Sequence, residues 1–441
     1  MKYFSIIYVF VVLFALVSTF NSSFAQSDWK WERLDDPVLN PGPSGSWDDG
    51  LLAFSRVTYH GNMYHMWYGG AKAQTFTDIG YATSQDGITW KKYDDPTTTN
   101  ELYAESDPVL VAGQEGEWDE AVVSCPYVLF LDGTYHMWYG GSTDPDLLSA
   151  SIGHAISTDG ISWQKDTLNN PVLTKGPSGT WDDTWVFKPS VLYIDGYFHM
   201  WYDAYNGTDE QVRIGHATSP DGVTWSRDPN NPVLSFGSSQ SWDYPRVDGP
   251  SVIYDGNIYH MWYSGGHFFT WQIGYATSPH PDSLWTKDPQ NPVFARGTTG
   301  SWDDKWVGFC AVIDSADSLR KMWYSGGNAD WDGHIGYAYK IIDAIEQIDS
   351  KHFPEEFSLK QNYPNPFNPS TTIKFQIPTS EFITLKVYNI LGEEVATLVS
   401  KKLNIGNHTY TFDGKNLASG IYYYQLVAGD YREVRKMIML K

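Results

Sequence analysis

Between Asp48 and Ala338 the apolar residues fall in short runs broken by Gly, Asn, Asp and Pro, and none carries a helical period. One stretch shows the pattern. Gly249-Pro250-Ser251-Val252-Ile253-Tyr254 is an apolar run, Asp255-Gly256-Asn257 is a turn, and Ile258–Tyr263 is a second run. Asp-Gly and Gly-Asn between apolar runs is hairpin chemistry, because Gly and Asn tolerate positive φ. A third run is Gln272–Thr277, and a fourth begins near Trp285 and leads to Asn291-Pro292-Val293. Aromatic and β-branched residues fill all four, so four antiparallel strands are expected. The second run is large and apolar on both faces, which fits a sheet covered on both sides.

This unit occurs five times. Trp-Asp stands at Trp47, Trp118, Trp181, Trp242 and Trp302, spaced 71, 63, 61 and 60 residues apart, and Met-Trp-Tyr follows at Met66, Met137, Met200, Met261 and Met322. A fixed period of four-stranded units, each too small to bury its own faces, predicts an all-β, five-bladed β-propeller. The fifth unit ends at Ile335-Gly336-Tyr337-Ala338 without a fourth run. The surplus N-terminal piece Trp29–Leu39 reads like the missing strand, so it is expected to close the ring and remove an exposed edge.

Residues 1–25 carry Lys2, an apolar run to Val17 and a Ser23-Phe24-Ala25 end, the pattern of a secretory signal peptide. After its removal no membrane span is expected. Residues 27–340 are assigned to the propeller and 341–352 to a linker. Residues 353–441 form a different domain, a small β-sandwich, opening on the Pro/Asn cluster Asn362–Pro369. Its segments FSLKQNYPNPFNPSTTIKFQIP, VYNILGEEVATLV, LASGIYYYQLVAGD and KMIMLK resemble the C-terminal sorting domain of the type IX secretion system. The resemblance implies export through that machinery, and a secreted or surface-attached protein whose tail carries no chemistry of its own. A net charge of −22 and a pI near 4.8 argue against nucleic acid as a partner. Two cysteines exclude a disulfide framework and a Cys-rich metal site; Cys125 and Cys310 fall at matching positions and read as buried small residues.

The repeat separates scaffold from site. A residue present in all five units is structural, whereas a polar residue special to one unit and facing the axis is a functional candidate. By that test Trp-Asp, Met-Trp-Tyr and the Ser-x-Asp-Gly-x-x-Trp turns at Ser84, Ser157 and Ser219 are scaffold. The last of these resembles the Asp-box of sialidases, a turn-stabilising device. The candidates are Asp248, Glu120, Asp49, Arg56, Lys188, Arg246, Asp183, Asp203, Trp185 and Trp306. Carboxylates from several units facing one cavity, with aromatic faces nearby, are the materials of a sugar site.

Five units with aromatic second strands and Asp residues near the strand entrances resemble the five-bladed propeller glycosidases: arabinanases, β-xylosidases, invertase-like fructosidases and mannoside phosphorylases. Those enzymes place a carboxylate at the entrance of the first inner strand, commonly before Pro. Here the nearest equivalent is Asp248-Gly249-Pro250 in unit four, and unit one has none. The resemblance implies a glycoside hydrolase acting on poly- or oligosaccharide. Asp248 would be base or nucleophile, Glu120 the acid and Asp49 a tuner of both. Arg56, Lys188, Arg246, Asp183, Asp203, Trp185 and Trp306 would bind substrate. A non-catalytic glycan-binding propeller is the alternative, favoured if the carboxylates pair with the basic residues and no cavity opens. A phosphorylase is a third reading. No cofactor or metal ligand set is expected; a structural calcium on the axis stays open.

Overall fold

The computed structural model describes residues 29–342 and 357–440, apart from loop residues 73–74, 99, 104, 146, 208–210, 268–269, 316–317, 330–331, 378–380, 404–405, 416 and 430. The expected signal peptide and most of the expected linker lie outside the described residues.

The described chain is all-β with antiparallel sheets. In unit four the strands are Val247–Tyr254, Tyr259–Gly265, Gln272–Ser278 and Thr286–Lys287, paired in that order. Units one, two and three repeat this, with inner strands Leu51–His60, Val122–Leu131 and Trp185–Ile194. Unit five supplies Trp306–Asp314, Leu319–Gly327 and His334–Ile341, and its outer strand is the N-terminal Glu32–Arg33. Inner strands touch in sequence, and the fifth packs against the first.

Met-Trp-Tyr explains the packing. Each Trp leaves its own sheet and enters the core of the next. Trp67 sits with Val123 and Met137, Trp138 with Val186 and Met200, Trp201 with Val252 and Met261, Trp262 with Val312 and Met322, and Trp323 with Val57 and Met66. All five are fully buried, and truncating a side chain so placed costs about 3–5 kcal/mol.

The Trp-Asp carboxylates are the second device. Asp48 binds Lys92 at 2.6 Å, Asp119 binds Lys165 at 2.7 Å, Asp182 binds Arg227 at 2.9 Å, and Asp243 binds Lys287. Each base lies on its unit's outer strand. In unit five the partner is Arg33, 2.6 Å from Asp303. Arg33 lies opposite Ala338 just as Lys92 lies opposite Ala82 and Lys287 opposite Ala276. The N-terminal strand therefore completes the fifth sheet in register, as expected.

The Ser-x-Asp-Gly turns are a third device. Asp86 accepts the N–H groups of Ile88 and Thr89 at 2.8 and 2.7 Å, which hold its carboxyl down to about 2. The Gly87 carbonyl accepts the indole N–H of Trp90 and of Trp323 from the preceding sheet. Gly160 and Gly222 receive Trp67 and Trp138 in the same way, and Trp201 donates to Pro281. At the closing seam no such turn is found among the described residues, and the Trp262 indole N–H has no acceptor there.

The tail forms two sheets. One holds Ser358–Leu359, Ser370–Ile377 and Gly406–Asp413; the other orders Glu394–Leu403, Glu381–Tyr388, Gly420–Ala428 and Tyr431–Met439. Both contribute to one core around Ile373, Phe375, Leu385, Tyr424 and Met437.

Candidate functional site

Every inner strand slips register once, and the slip builds the axis. The ladder breaks between Ala53 and Arg56, Ser124 and Tyr127, Phe187 and Ser190, Asp248 and Ser251, and Gly308 and Ala311. The residue after the break holds positive φ in all five units: Phe54 (58°), Cys125 (54°), Lys188 (44°), Gly249 (55°) and Phe309 (50°). A bulge of this kind re-aims a side chain. The register corrects one expectation: Cys125 matches Phe309, and Cys310 matches Pro126. Unit five has one extra residue in its hairpin, which hid the shift.

Four of the five bulge residues carry large or reactive side chains, and they fill the centre. The Phe54 and Phe309 rings meet edge to face at 4.7 Å. Lys188 Nζ lies 5.4–5.7 Å from the rings of Phe54, Phe187, Phe309 and Trp185. The axial space left among Phe54, Cys125, Lys188 and Phe309 is about 40 Å³, well short of the 300 Å³ or more typical of a ligand pocket.

Beside this ring the structure gathers three of the expected residues. Lys188 Nζ is 2.9 Å from Asp203 Oδ2 and 3.8 Å from Asp248 Oδ2. Asp203 is 0 % and Asp248 2 % exposed, and the Oδ1 atom of each has no hydrogen-bond partner. Burial raises both carboxyls; Asp248 reaches about 6, and Asp203 adds to that rise while Lys188 and Arg246 oppose it. Burial alone would lower the Lys188 ammonium, but the two carboxylates outweigh it and hold it charged.

Asp203 has a scaffold counterpart. Its Oδ2 accepts the Gly249 N–H at 3.3 Å, as Ser264 Oγ accepts from Phe309 and Ser325 Oγ from Phe54. The bond between units recurs at three of the five junctions, units one and two having Gly69 and Gly140 at that place, and the charge is special to unit three. Asp248 stands where the other units have Ala53, Ser124, Phe187 and Gly308.

Three expected carboxylates belong elsewhere. Asp49, Glu120 and Asp183 each close the loop before their inner strand by accepting a backbone N–H four residues back, from Gly45, Gly116 and Gly179. Asp304 does the same with Gly300. A contact repeated in four units points to a structural part for these residues, beside the expected roles of Glu120 as acid and Asp49 as tuner. Trp306 is 3 % exposed, donates to Ala329 O and packs edge-on to Trp271; it is a core residue. Arg56 lies beyond its bulge, towards the hairpin end of the strand, whereas Asp248 lies before its own.

Trp185 and Arg246 stay at the strand-entrance end. The Trp185 ring stacks on Tyr205 at 5.4 Å and 21°, and the Arg246 guanidinium lies 5.7 Å from the same tyrosine. All three are partly exposed. Tyr205 escaped the sequence reading, although the repeat held the signal: it is aromatic where the other units have Ala71, Ser142, Gly266 and Gly327. Among the described residues no cluster of three or more His, Cys, Asp or Glu is gathered for a cation.

Comparison with known proteins divides the chain. Residues 361–440 match the secretion system C-terminal sorting domain. The protein is therefore a type IX secretion substrate, released from the cell or held at its surface. An uncharacterized protein of Mycobacterium tuberculosis is 27 % identical over 238 residues, covering 52 % of this chain and 72 % of that one. A β-1,2-mannobiose phosphorylase of Thermoanaerobacter sp. strain X514 is 26 % identical over 141 residues, 29 % of this chain and 42 % of the relative. Among solved structures, a thermostable family-43 glycoside hydrolase aligns with a TM-score of 0.52 at 18 % identity, covering 67 % of this chain and 90 % of that one. A glycosyl hydrolase from Bacteroides ovatus aligns with a TM-score of 0.52 at 18 % identity, over 70 % and 93 %. The repeat region thus has the fold of the propeller glycosidases.

Proposed function

We propose that this protein is an exported five-bladed propeller that binds carbohydrate without cleaving it. Its binding face is the Trp185–Tyr205–Arg246 surface of units three and four. The observation that carries this is the fate of the two carboxylates: Lys188 holds Asp203 and Asp248 together at 0 % and 2 % exposure, above an axial space of about 40 Å³. A sugar ring cannot enter that space. A stacked indole and phenol with a guanidinium beside them suit the CH face and hydroxyls of a pyranose.

The test is calorimetric titration of full-length protein against a panel of plant and microbial polysaccharides and their oligosaccharides, with product analysis on the same samples. The expectation is saturable binding, no released sugar, and at least about tenfold weaker affinity for Trp185→Ala, a change of roughly 1.4 kcal/mol. A hit whose affinity is unchanged by Trp185→Ala would remove the assigned face.

One observation favours a second reading, hydrolysis. Burial raises Asp248 to about 6 beside a second carboxylate, the condition for a proton donor near neutral pH. Release of reducing sugar by wild type and its loss in Asp248→Asn would establish that reading in place of the first. Including phosphate in one arm of the assay detects phosphorolysis.

A further inference from the structure

At the hairpin end of the axis, remote from the surface just described, a cleft of about 530 Å³ opens between units one and five. It is lined by Arg56, Thr58, Tyr64, Asp314, Ser315 and Lys321, among others. Arg56 is 9 % exposed and Lys321 7 %. The Arg56 guanidinium lies over the Tyr127 ring, 4.0 Å from its centroid, a contact that satisfies none of its N–H groups. Nε and Nη1 are buried, and among the described residues neither has an acceptor. Thr58 Oγ1, on the same strand, is also buried and unpaired.

Among the described residues the other charges do not answer Arg56. Asp314, the carboxylate lining the cleft, is held by Arg320 through both oxygens, at 2.7 and 3.0 Å. Lys321 adds a second cation, with Nζ 2.8 Å from the Tyr64 hydroxyl. Among the described residues the cleft lining thus holds two cations, Arg56 and Lys321, and one carboxylate already engaged by Arg320, in a chain of net charge −22. The repeat makes the charge a departure as well: the positions matching Arg56 are Tyr127, Ser190, Ser251 and Ala311. A buried cation that packing does not require, and that has no countercharge among the described residues, calls for an external one.

We infer that this cleft is a binding site for a small oxyanion, a carboxylate or a sulfate- or phosphate-type group, held by Arg56 with Lys321 at its side. Guanidinium is the side chain best matched to such groups. The site is independent of the carbohydrate reading, since it faces the other end of the axis.

The test titrates the full chain with sodium sulfate, phosphate and acetate, following thermal unfolding and heat, with sodium chloride at equal ionic strength as the reference. One or more oxyanions should bind saturably and raise the midpoint above the chloride reference, with affinity at least about tenfold weaker in Arg56→Gln. Acetate against sulfate and phosphate separates a carboxylate ligand from a tetrahedral one. Chloride acting as well as every oxyanion, or an unchanged response in Arg56→Gln, overturns the inference. Should Arg56→Gln fail to fold, selenate soaked into wild-type crystals decides: anomalous density beside the Arg56 guanidinium supports the site, and its absence there refutes it.

Discussion

Replacing Arg33 by Ala removes the cation that pairs the N-terminal strand with the Asp303 carboxylate of unit five. The Asp303 carboxylate is 1 % exposed and receives Arg33 at 2.6 Å and the Tyr324 hydroxyl at 2.9 Å. Removing one partner of a buried pair costs about 3–5 kcal/mol. The remaining Tyr324 bond and the 27 % exposure of Arg33 reduce that, to roughly 2–3 kcal/mol. The guanidinium also lies 4.1 Å from the Phe294 ring, worth about another 0.5–1 kcal/mol. The total is about 3 kcal/mol. Urea unfolding followed by tryptophan fluorescence reads it cleanly, because the tail from residue 353 has no Trp. Arg33→Lys should recover most of the loss, since Lys92, Lys165 and Lys287 hold the equivalent place in units one, two and four. Lys30→Ala, which removes an exposed pair at 3.7 Å, should change stability by less than about 0.5 kcal/mol. A loss in Arg33→Ala no larger than in Lys30→Ala, or no recovery in Arg33→Lys, would refute the reasoning.

Other outcomes follow from the same structure. Asp248 is raised to about 6 by burial, so its contribution favours the fold fully below about 3.8 and is lost as pH rises through 6. Asp248→Asn should therefore stabilise the protein at pH 8 by about 1–2 kcal/mol and make no difference at pH 4; equal effects at both pH values would contradict it. His154 and His216 are buried against His136 and His199 at 3.2 and 3.1 Å, and burial lowers each to about 4. Their stability contribution is present above 6.5 and is lost as pH falls towards 4, by about 2–3 kcal/mol each. His216→Gln should flatten the unfolding free energy between pH 6.5 and 4.5, and an unaltered slope would dismiss the histidine as its source. Gly274→Ala would place a Cβ 2.6 Å from Tyr263 Cζ and 2.8 Å from Trp242 Cη2; denaturant midpoints should fall by an amount equal to about 1–3 kcal/mol.

The sheet order was legible because two signals agreed: four short extended runs separated by turn residues within a unit, and recurrence of Trp-Asp and Met-Trp-Tyr between units. The closing strand was legible too, since Trp29–Leu39 repeats the composition of the other outer strands. The site was less so. Spacing located Asp248, Lys188 and Asp203 as departures from the repeat, yet it could not say that one ammonium would seal two carboxylates together. The backbone contact that Glu120, Asp49 and Asp183 share within a loop was not legible, because side-chain identity does not announce it. Cys310 was misplaced by one residue because the extra position lies in a hairpin, where length is free to vary.

The joint between Arg33 and Asp303 spans 270 residues of chain, and synthesis is directional. Arg33 leaves the ribosome early, and its partner follows roughly 15–55 s later at about 5–20 residues per second. Throughout that interval the first strand has nothing to pair with. When the last sheet emerges, the edge His334–Ile341 is open until the strand returns. An unpaired edge of that length invites pairing with another molecule. For a chain that must still reach an export channel, this makes early closure a hazard for passage and late closure a hazard for aggregation. A carrier that shelters residues 29–39 until the whole chain is made would resolve both.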